Sequence, residues 1–230
     1  EAVAREIVSV ALALGDEQRQ AEGLLLLANA LLEQGSPAYA GSLEACLAIL
    51  GALGNPQHRY TATTRRACVA LLQGRLDDAD RLIDEAAVLG AHIREPDTGN
   101  VRMSQRLELT RARGRPEELA AFAAEAVEHW TGVPVHAHGV AAGFLARAGD
   151  LDGARQHVGA VADLGTSRSD HSYLWSVFVR ELSRAAIAIG DQPLVAQLFD
   201  DVGALGDSCG VNGAVVAFAG GVVHFPLTTD

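Results

Sequence analysis

Runs of Ala, Leu, Val and Glu, each about 15 to 20 residues long, follow one another along this chain with few internal breakers. Each run is long enough for one helix of about four to five turns. Glycines stand between the runs at two interleaved sets of positions. One set is Gly35, Gly74, Gly114, Gly149 and Gly190, at intervals of 39, 40, 35 and 41; the other is Gly15, Gly54, Gly90, Gly132, Gly165 and Gly206, at intervals of 39, 36, 42, 33 and 41. Glycine takes the left-handed conformation that ends a helix without steric penalty. The pattern predicts two alternating helix types. The A helices cover roughly 17–34, 57–73, 97–113, 134–148 and 168–189; the B helices cover 1–14, 37–53, 76–89, 116–130, 151–164 and 192–205. A last A-like segment starts near Cys209. The apolar run Val211–Leu227 is interrupted by Asn212, Gly213, Gly220, Gly221, His224 and Pro226, so it predicts a short buried or truncated helix rather than a membrane span.

The A-to-B turns share a form: Gln73-Gly74-Arg75-Leu76-Asp77, Arg113-Gly114-Arg115-Pro116-Glu117, Ala148-Gly149-Asp150-Leu151-Asp152 and Ile189-Gly190-Asp191-Gln192-Pro193. Glycine closes one helix, and an acid or proline opens the next, as backbone geometry and the helix dipole favour. Turns this short make neighbours antiparallel. The expected fold is all-α without a β-sheet, an α-solenoid of antiparallel helical hairpins with a repeat of about 40 residues, forming a single domain over 1–230. The chain begins without Met inside an apparent helix, as expected of a fragment of a larger protein.

Within the hairpins, Gly74, Leu76, Ala79, Ile83 and Ala86 repeat the spacing of glycine, large apolar, small, large apolar and small residues of the tetratricopeptide (TPR) motif. Gly149, Leu151, Ala154, Val158 and Val161 follow it closely. Gly114, Pro116, Leu119, Ala123 and Ala126 follow it loosely, as do Gly190, Val195, Phe199 and Val202; the hairpin at Gly35 departs from it, with Glu44 in an apolar slot. The chain is TPR-like in this sense. Ala79 and Ala154 are expected at close helix crossings. The stretch from Tyr173-Leu174-Trp175 to Ala188-Ile189-Gly190-Asp191, then Ala196-Gln197-Leu198-Phe199 and Gly213-Ala214-Val215-Val216, resembles the helical-repeat region of large actinobacterial ATPase regulators of the LuxR-type and SARP/AfsR-type, a region some multidomain nucleotide cyclases share. The resemblance implies a signal-sensing or relay module beside an ATPase, and it transfers no catalytic residue.

Half of the residues are hydrophobic but only 5% are aromatic, so the core must be built from Ala, Leu and Val. The net charge is −11, the opposite of what duplex DNA or RNA binding requires, and no direct nucleic-acid contact is expected. All 18 basic residues are arginine. Without lysine the phosphate-binding loop Gly-x4-Gly-Lys-Ser/Thr is excluded. Cys46, Cys68 and Cys209 lack metal-type spacing and fit buried thiols in a reducing cytosol, which places the chain in the cytoplasm without a membrane segment.

The charges are unequally divided. By the spans above, the A helices hold 12 Arg against 7 acids and the B helices 3 Arg against 16 acids. In a TPR-like stack the A helices line the concave side, so this asymmetry predicts a relatively positive groove suited to a protein or acidic peptide segment, including another domain of the same full-length protein. The candidate contacts are Arg102, Arg106 and Arg113 on one stripe, extended by Arg59, Arg66, Arg180 and Arg184. The expected role is a non-catalytic protein-interaction or signal-sensing module of a cytoplasmic transcriptional regulator, with no cofactor. The alternatives are a small-effector-binding helical domain and an oligomerisation arm of a multidomain signalling ATPase or nucleotide cyclase, the latter making a homo-oligomer.

Other clusters point to ordinary structure. His136 and His138, with His129 nearby, diverge on a helix and lack a Cys or carboxylate partner, so no metal is expected. Ser208-Cys209-Gly210 lacks the flanking pattern of a nucleophile elbow. Asp77, Asp78, Asp80, Asp84 and Glu85 read as a solvated first turn. Trp130, Trp175, Tyr173, Phe178 and His171 read as core rather than as a pocket.

Overall fold

The computed structural model describes residues 1–165, 172–203 and 205–221. Eleven helices are found among the described residues: α1 (Ala2–Leu14), α2 (Glu17–Glu33), α3 (Tyr39–Leu53), α4 (Pro56–Leu72), α5 (Leu76–Ile93), α6 (Thr98–Arg113), α7 (Pro116–His129), α8 (Pro134–Ala148), α9 (Leu151–Leu164), α10 (Trp175–Ile189) and α11 (Gln192–Gly203). The A helices are α2, α4, α6, α8 and α10. The part of the last of these expected at 168–171 lies outside the described residues.

The turn chemistry repeats. All five glycines of the first series hold a left-handed φ, from 63° at Gly114 to 86° at Gly149. At four of them the next residue's N–H reaches back to the same kind of helix carbonyl: Ser36 to Leu31, Arg75 to Ala70, Asp150 to Leu145 and Asp191 to Ala186, all at 2.9–3.0 Å. That bond satisfies a carbonyl that the end of the helix would otherwise orphan. Several helices are opened by a side-chain cap or a proline, whereas α3 and α5 have neither in the first turn. Asp16, Asn55, Asp150 and Asp191 each accept a first-turn N–H, and Pro56, Pro116 and Pro134 supply a preset φ.

Gly90 departs from the expectation. It lies inside α5, which runs on to Ile93 and is closed by Arg94 at φ 55°. A Cβ on Gly90 would stand 2.9 Å from the Tyr60 ring and closer still to Thr98. Glycine is there for a close approach, not for a turn.

The larger correction concerns the C-terminal apolar run, which is not helical where it is described. Cys209–Asn212 (β1) and Ala217–Gly221 (β2) pair as a two-stranded sheet. Four glycines weaken helix formation there, and Val211, Val215 and Val216 favour extended backbone.

The chain divides into two compact units, where a single domain is the expectation from sequence. The first is Glu1–Leu109 with Gly213–Phe218; the second is Thr110–Asn212 with Ala219–Asp230. In the first unit, α1 to α5 each pack on their chain neighbours. Their cores are alanine-rich: Ala67, Ala70, Ala79, Ile83 and Leu109 form one cluster, and Ala21, Cys46, Leu50 and Ala62 another. In the second, α8 packs on α7, α9 and α10, while α10 also meets α9, α11 and β1. The α8–α10 crossing is made by two glycines one turn apart. A Cβ on Gly139 would enter the Phe178 ring, and one on Gly143 would stand 2.5 Å from the Cβ of Glu181.

Ala79, Ile83 and Ala86, Ala154 and Val161, and Leu119, Ala123 and Ala126 are buried. In α11, Leu198 and Val202 are buried and Phe199 is 47% exposed. No helix among the described residues is long and apolar enough to cross a membrane.

Candidate functional site

The buried polar side chains are concentrated on the A helices. Thr63, Thr64, Ser104, Gln105, Glu108, Thr110, His136, Arg180, Glu181 and Ser183 all lie on α4, α6, α8 or α10; Asn212 is the one other among the described residues. The A helices present polar groups to protein rather than to water, and such groups must find partners.

In the first unit the buried Gln105 and the half-buried Asn29 and Arg65 bond one stretch of main chain, Gly213–Phe218. Asn29 on α2 accepts the Val215 N–H through Oδ1 at 3.1 Å. Arg65 on α4 donates from Nε to the Ala214 carbonyl at 2.9 Å and from Nη1 to the Thr64 hydroxyl at 2.8 Å. Gln105 on α6 donates from Nε2 to the Val216 carbonyl at 3.0 Å and to the Thr64 carbonyl. Three successive A helices thus each supply one side chain to a main-chain atom of consecutive residues. Val215, Val216 and Ala217 are buried. Val215 is held at φ 56°, a conformation that a β-branched residue adopts only under strain.

Two polar needs at this face are met incompletely. The Oε1 of Gln105 is buried and has no hydrogen-bond partner. The Arg65 guanidinium bonds a carbonyl and a hydroxyl, and its pKa is lowered by burial, with Tyr60, Cys68 and Cys46 as its ionisable neighbours and no carboxylate among them.

In the second unit the buried polar groups form an ionic cluster. Glu181 is fully buried; Arg180 donates from Nε to its Oε1 at 2.7 Å, and Arg147 from Nε to its Oε2 at 3.2 Å. Burial alone would raise the Glu181 pKa, but Arg180, Arg147 and Arg111 outweigh it and hold the carboxyl below its ordinary value. Arg180 also donates to the Ala219 carbonyl at 3.0 Å.

The seven candidate arginines have different settings. Arg59 and Arg66 are exposed on α4. Arg66 borders a cleft of about 500 Å³ whose wall includes Tyr39, Leu43, Leu47 and Val69, with Glu44 beside it. Arg102, Arg106, Arg113 and Arg184 are half-buried. Arg106 stands 3.6 Å from the Asp80 carboxylate of α5. Arg180, only 5% exposed, is committed to Glu181 and Ala219 and so is no rim residue. Asn29, Arg65 and Gln105 were not marked by sequence. Their only local sign is a polar residue within a helix, and Arg65 is indistinguishable there from its neighbour Arg66.

The remaining clusters resolve into local contacts. His136 is buried against the Phe178 ring, whereas His138 meets His157 of α9, Nδ1 to Nδ1, at 2.8 Å. Asp78 pairs with Arg75 and Arg81, and Glu85 with Arg81. The Ser208 hydroxyl donates to the Leu205 carbonyl, and Cys209 opens β1 rather than a helix. Trp130 and Phe178 are buried, Tyr173 is exposed, and His171 lies outside the described residues. Burial pushes the Cys46 thiol up to about 11 and the Cys68 thiol to about 12. No group of three or more His, Cys, Asp or Glu among the described residues could hold a metal ion. Comparison with known proteins finds no matching family model, curated protein or solved structure.

Proposed function

We propose that this chain is a non-catalytic, TPR-like helical-repeat module that binds polypeptide segments, and that the binding face lies on α2, α4 and α6. One observation carries the reading: Asn29, Arg65 and Gln105 grip consecutive main-chain groups of Ala214, Val215 and Val216. Side chains that read backbone rather than other side chains are what a protein needs to hold a foreign stretch of chain. The exposed Arg59 and Arg66, together with the half-buried Arg102, favour acidic partners, because guanidinium pairs carboxylate at two points. The resemblance to actinobacterial ATPase regulators supports placing the module in a cytoplasmic transcriptional regulator, where the partner is a protein or another domain of the same polypeptide.

The test is selection of a random peptide library on the intact chain, followed by affinity measurement at low and high salt. The reading expects acidic sequences whose affinity falls as salt rises, since exposed charge is screened over about 8 Å at physiological ionic strength. It also expects weaker binding after Arg59→Ala, Arg66→Ala and Arg102→Ala are combined. A library that returns no binder overturns it.

A further inference from the structure

We propose that Gly213–Phe218 is a built-in occupant of this face, and that the face exchanges it for a turn of a partner protein carrying an acidic residue where Ala214 now lies. The inference rests on the polypeptide-binding reading above and specifies its ligand.

Four features of the occupied face lead to it. The first is that all three anchors bond main-chain atoms, so the hydrogen bonds themselves do not require the sequence Ala214-Val215-Val216. The side chains that accompany them are small or medium apolar ones, which sets the size of what fits beside an incoming turn.

The second is electrostatic. Arg65 is a half-buried cation answered by a neutral carbonyl and a hydroxyl, with no carboxylate in contact. A desolvated charge without a counter-charge is costly, and a carboxylate supplies the opposite charge that a carbonyl or hydroxyl cannot. A segment that places Asp or Glu against Arg65 therefore outcompetes one that offers only the Ala214 carbonyl.

The third is the Gln105 amide. Both of its hydrogen bonds use Nε2 as donor, while its buried Oε1 accepts nothing. A turn offering one more N–H at that point satisfies a group that Gly213–Phe218 leaves wanting.

The fourth concerns release. Val215 is held at φ 56° and returns to an unstrained backbone once it leaves Asn29. Gly213 at φ 58° opens the segment and Gly220 at φ 97° lies just beyond it, and glycine passes between such conformations freely. The bound segment is strained, bracketed by hinges and poorer in charge complementarity than the site allows. These are the properties of an occupant that can be displaced.

The experiment uses the full chain and three fluorescent peptides spanning Gly210–Gly221: the native sequence, Ala214→Glu and Ala214→Gln. Affinity is read by anisotropy, and release of the resident segment by hydrogen exchange at the Val215 amide. The Ala214→Glu peptide is expected to bind at least about tenfold tighter than the other two, and saturation with it to speed exchange at Val215 by at least about tenfold. Arg65→Met in the chain should remove the preference for Glu. Should that variant fold poorly, Ala214→Glu in the full chain is the second test; it is expected to slow exchange at Val215 and to exclude all three peptides. Equal affinities for the Glu and Gln peptides overturn the proposal. So does binding that leaves exchange at Val215 unchanged. If library-selected acidic peptides bind in a salt-dependent way while Val215 stays protected, this inference fails and the broader reading survives.

Discussion

Gly143 of α8 and Glu181 of α10 touch without room for a methyl group: a Cβ on Gly143 would stand 2.5 Å from both the Cβ and the carbonyl oxygen of Glu181. One of those atoms is backbone, so a rotamer change cannot relieve the clash. The helices would have to separate, and the ionic cluster on Glu181 would move with them. Gly143→Ala is expected to cost about 1–3 kcal/mol, the usual range for overpacking. The midpoint of urea unfolding measures it, and an unchanged midpoint would contradict so close a crossing.

Ala79 and Ala154 sit at the corresponding small positions of α5 and α9, and neither retains any exposed surface. Leucine at either site must find space that its neighbours fill. Ala79→Leu and Ala154→Leu should each lower stability by about 1–3 kcal/mol. Because the two residues belong to different units, the losses should add in the double variant. Thermal unfolding of the three variants is the measurement.

Glu181 is a carboxylate partner of both Arg147 and Arg180. Glu181→Gln keeps the shape and removes the buried negative charge that both guanidinium groups face, with a loss of about 3–5 kcal/mol. The pH dependence has a definite sign. With the folded-state pKa held below its ordinary value of 4.5, the contribution is fully present above 4.5 and is lost as pH falls through the lower folded value. Acid unfolding of the native chain should therefore include a component that Glu181→Gln lacks. Matching acid profiles for the two chains would rule this out.

His157 responds in a different window. Its burial, then the neighbouring His138, lower its pKa from 6.5, while Asp150 opposes them. The unfolded chain then takes up a proton more readily than the folded one, so stability is fully present above 6.5 and falls as pH drops below it. His157→Gln should flatten the dependence of the denaturation midpoint between about pH 7.5 and 5.5. A slope identical to that of the native chain would show that His157 does not titrate in this way.

The helices were legible because their signals are local. Glycine, acid and proline at the turns act within a few residues of where they stand, and Gly35, Gly74, Gly114, Gly149 and Gly190 all end helices as the pattern predicts. Gly90 misleads because its reason is tertiary: Tyr60 and Thr98 press on it from other helices. The run after Cys209 misleads because a short apolar stretch fits a buried helix and a buried strand equally well until glycines and β-branched residues are weighed. The face on α2, α4 and α6 was legible only as an excess of arginine. Its working residues are set by pairings such as Asn29 with Val215, 186 positions apart, which leave no periodic mark. Arg180 carries the opposite lesson: a helical arginine stripe cannot distinguish a rim from an ion pair sealed by the next residue along, Glu181.

The separation between Asn29 and Val215 also sets a schedule for synthesis. At roughly 5–20 residues per second, the ribosome makes the second partner roughly ten to forty seconds after the first. Helices α1 to α5 emerge early and find their chain neighbours by short turns, but Asn29, Arg65 and Gln105 must wait for residues 213–218, made well after them. During that interval their hydrogen-bonding groups face water or whatever else is at hand in the cell. A chain that terminates before residue 213 would carry this vacancy permanently. A stop or frameshift before residue 213 therefore injures the distant face on α2, α4 and α6 as well.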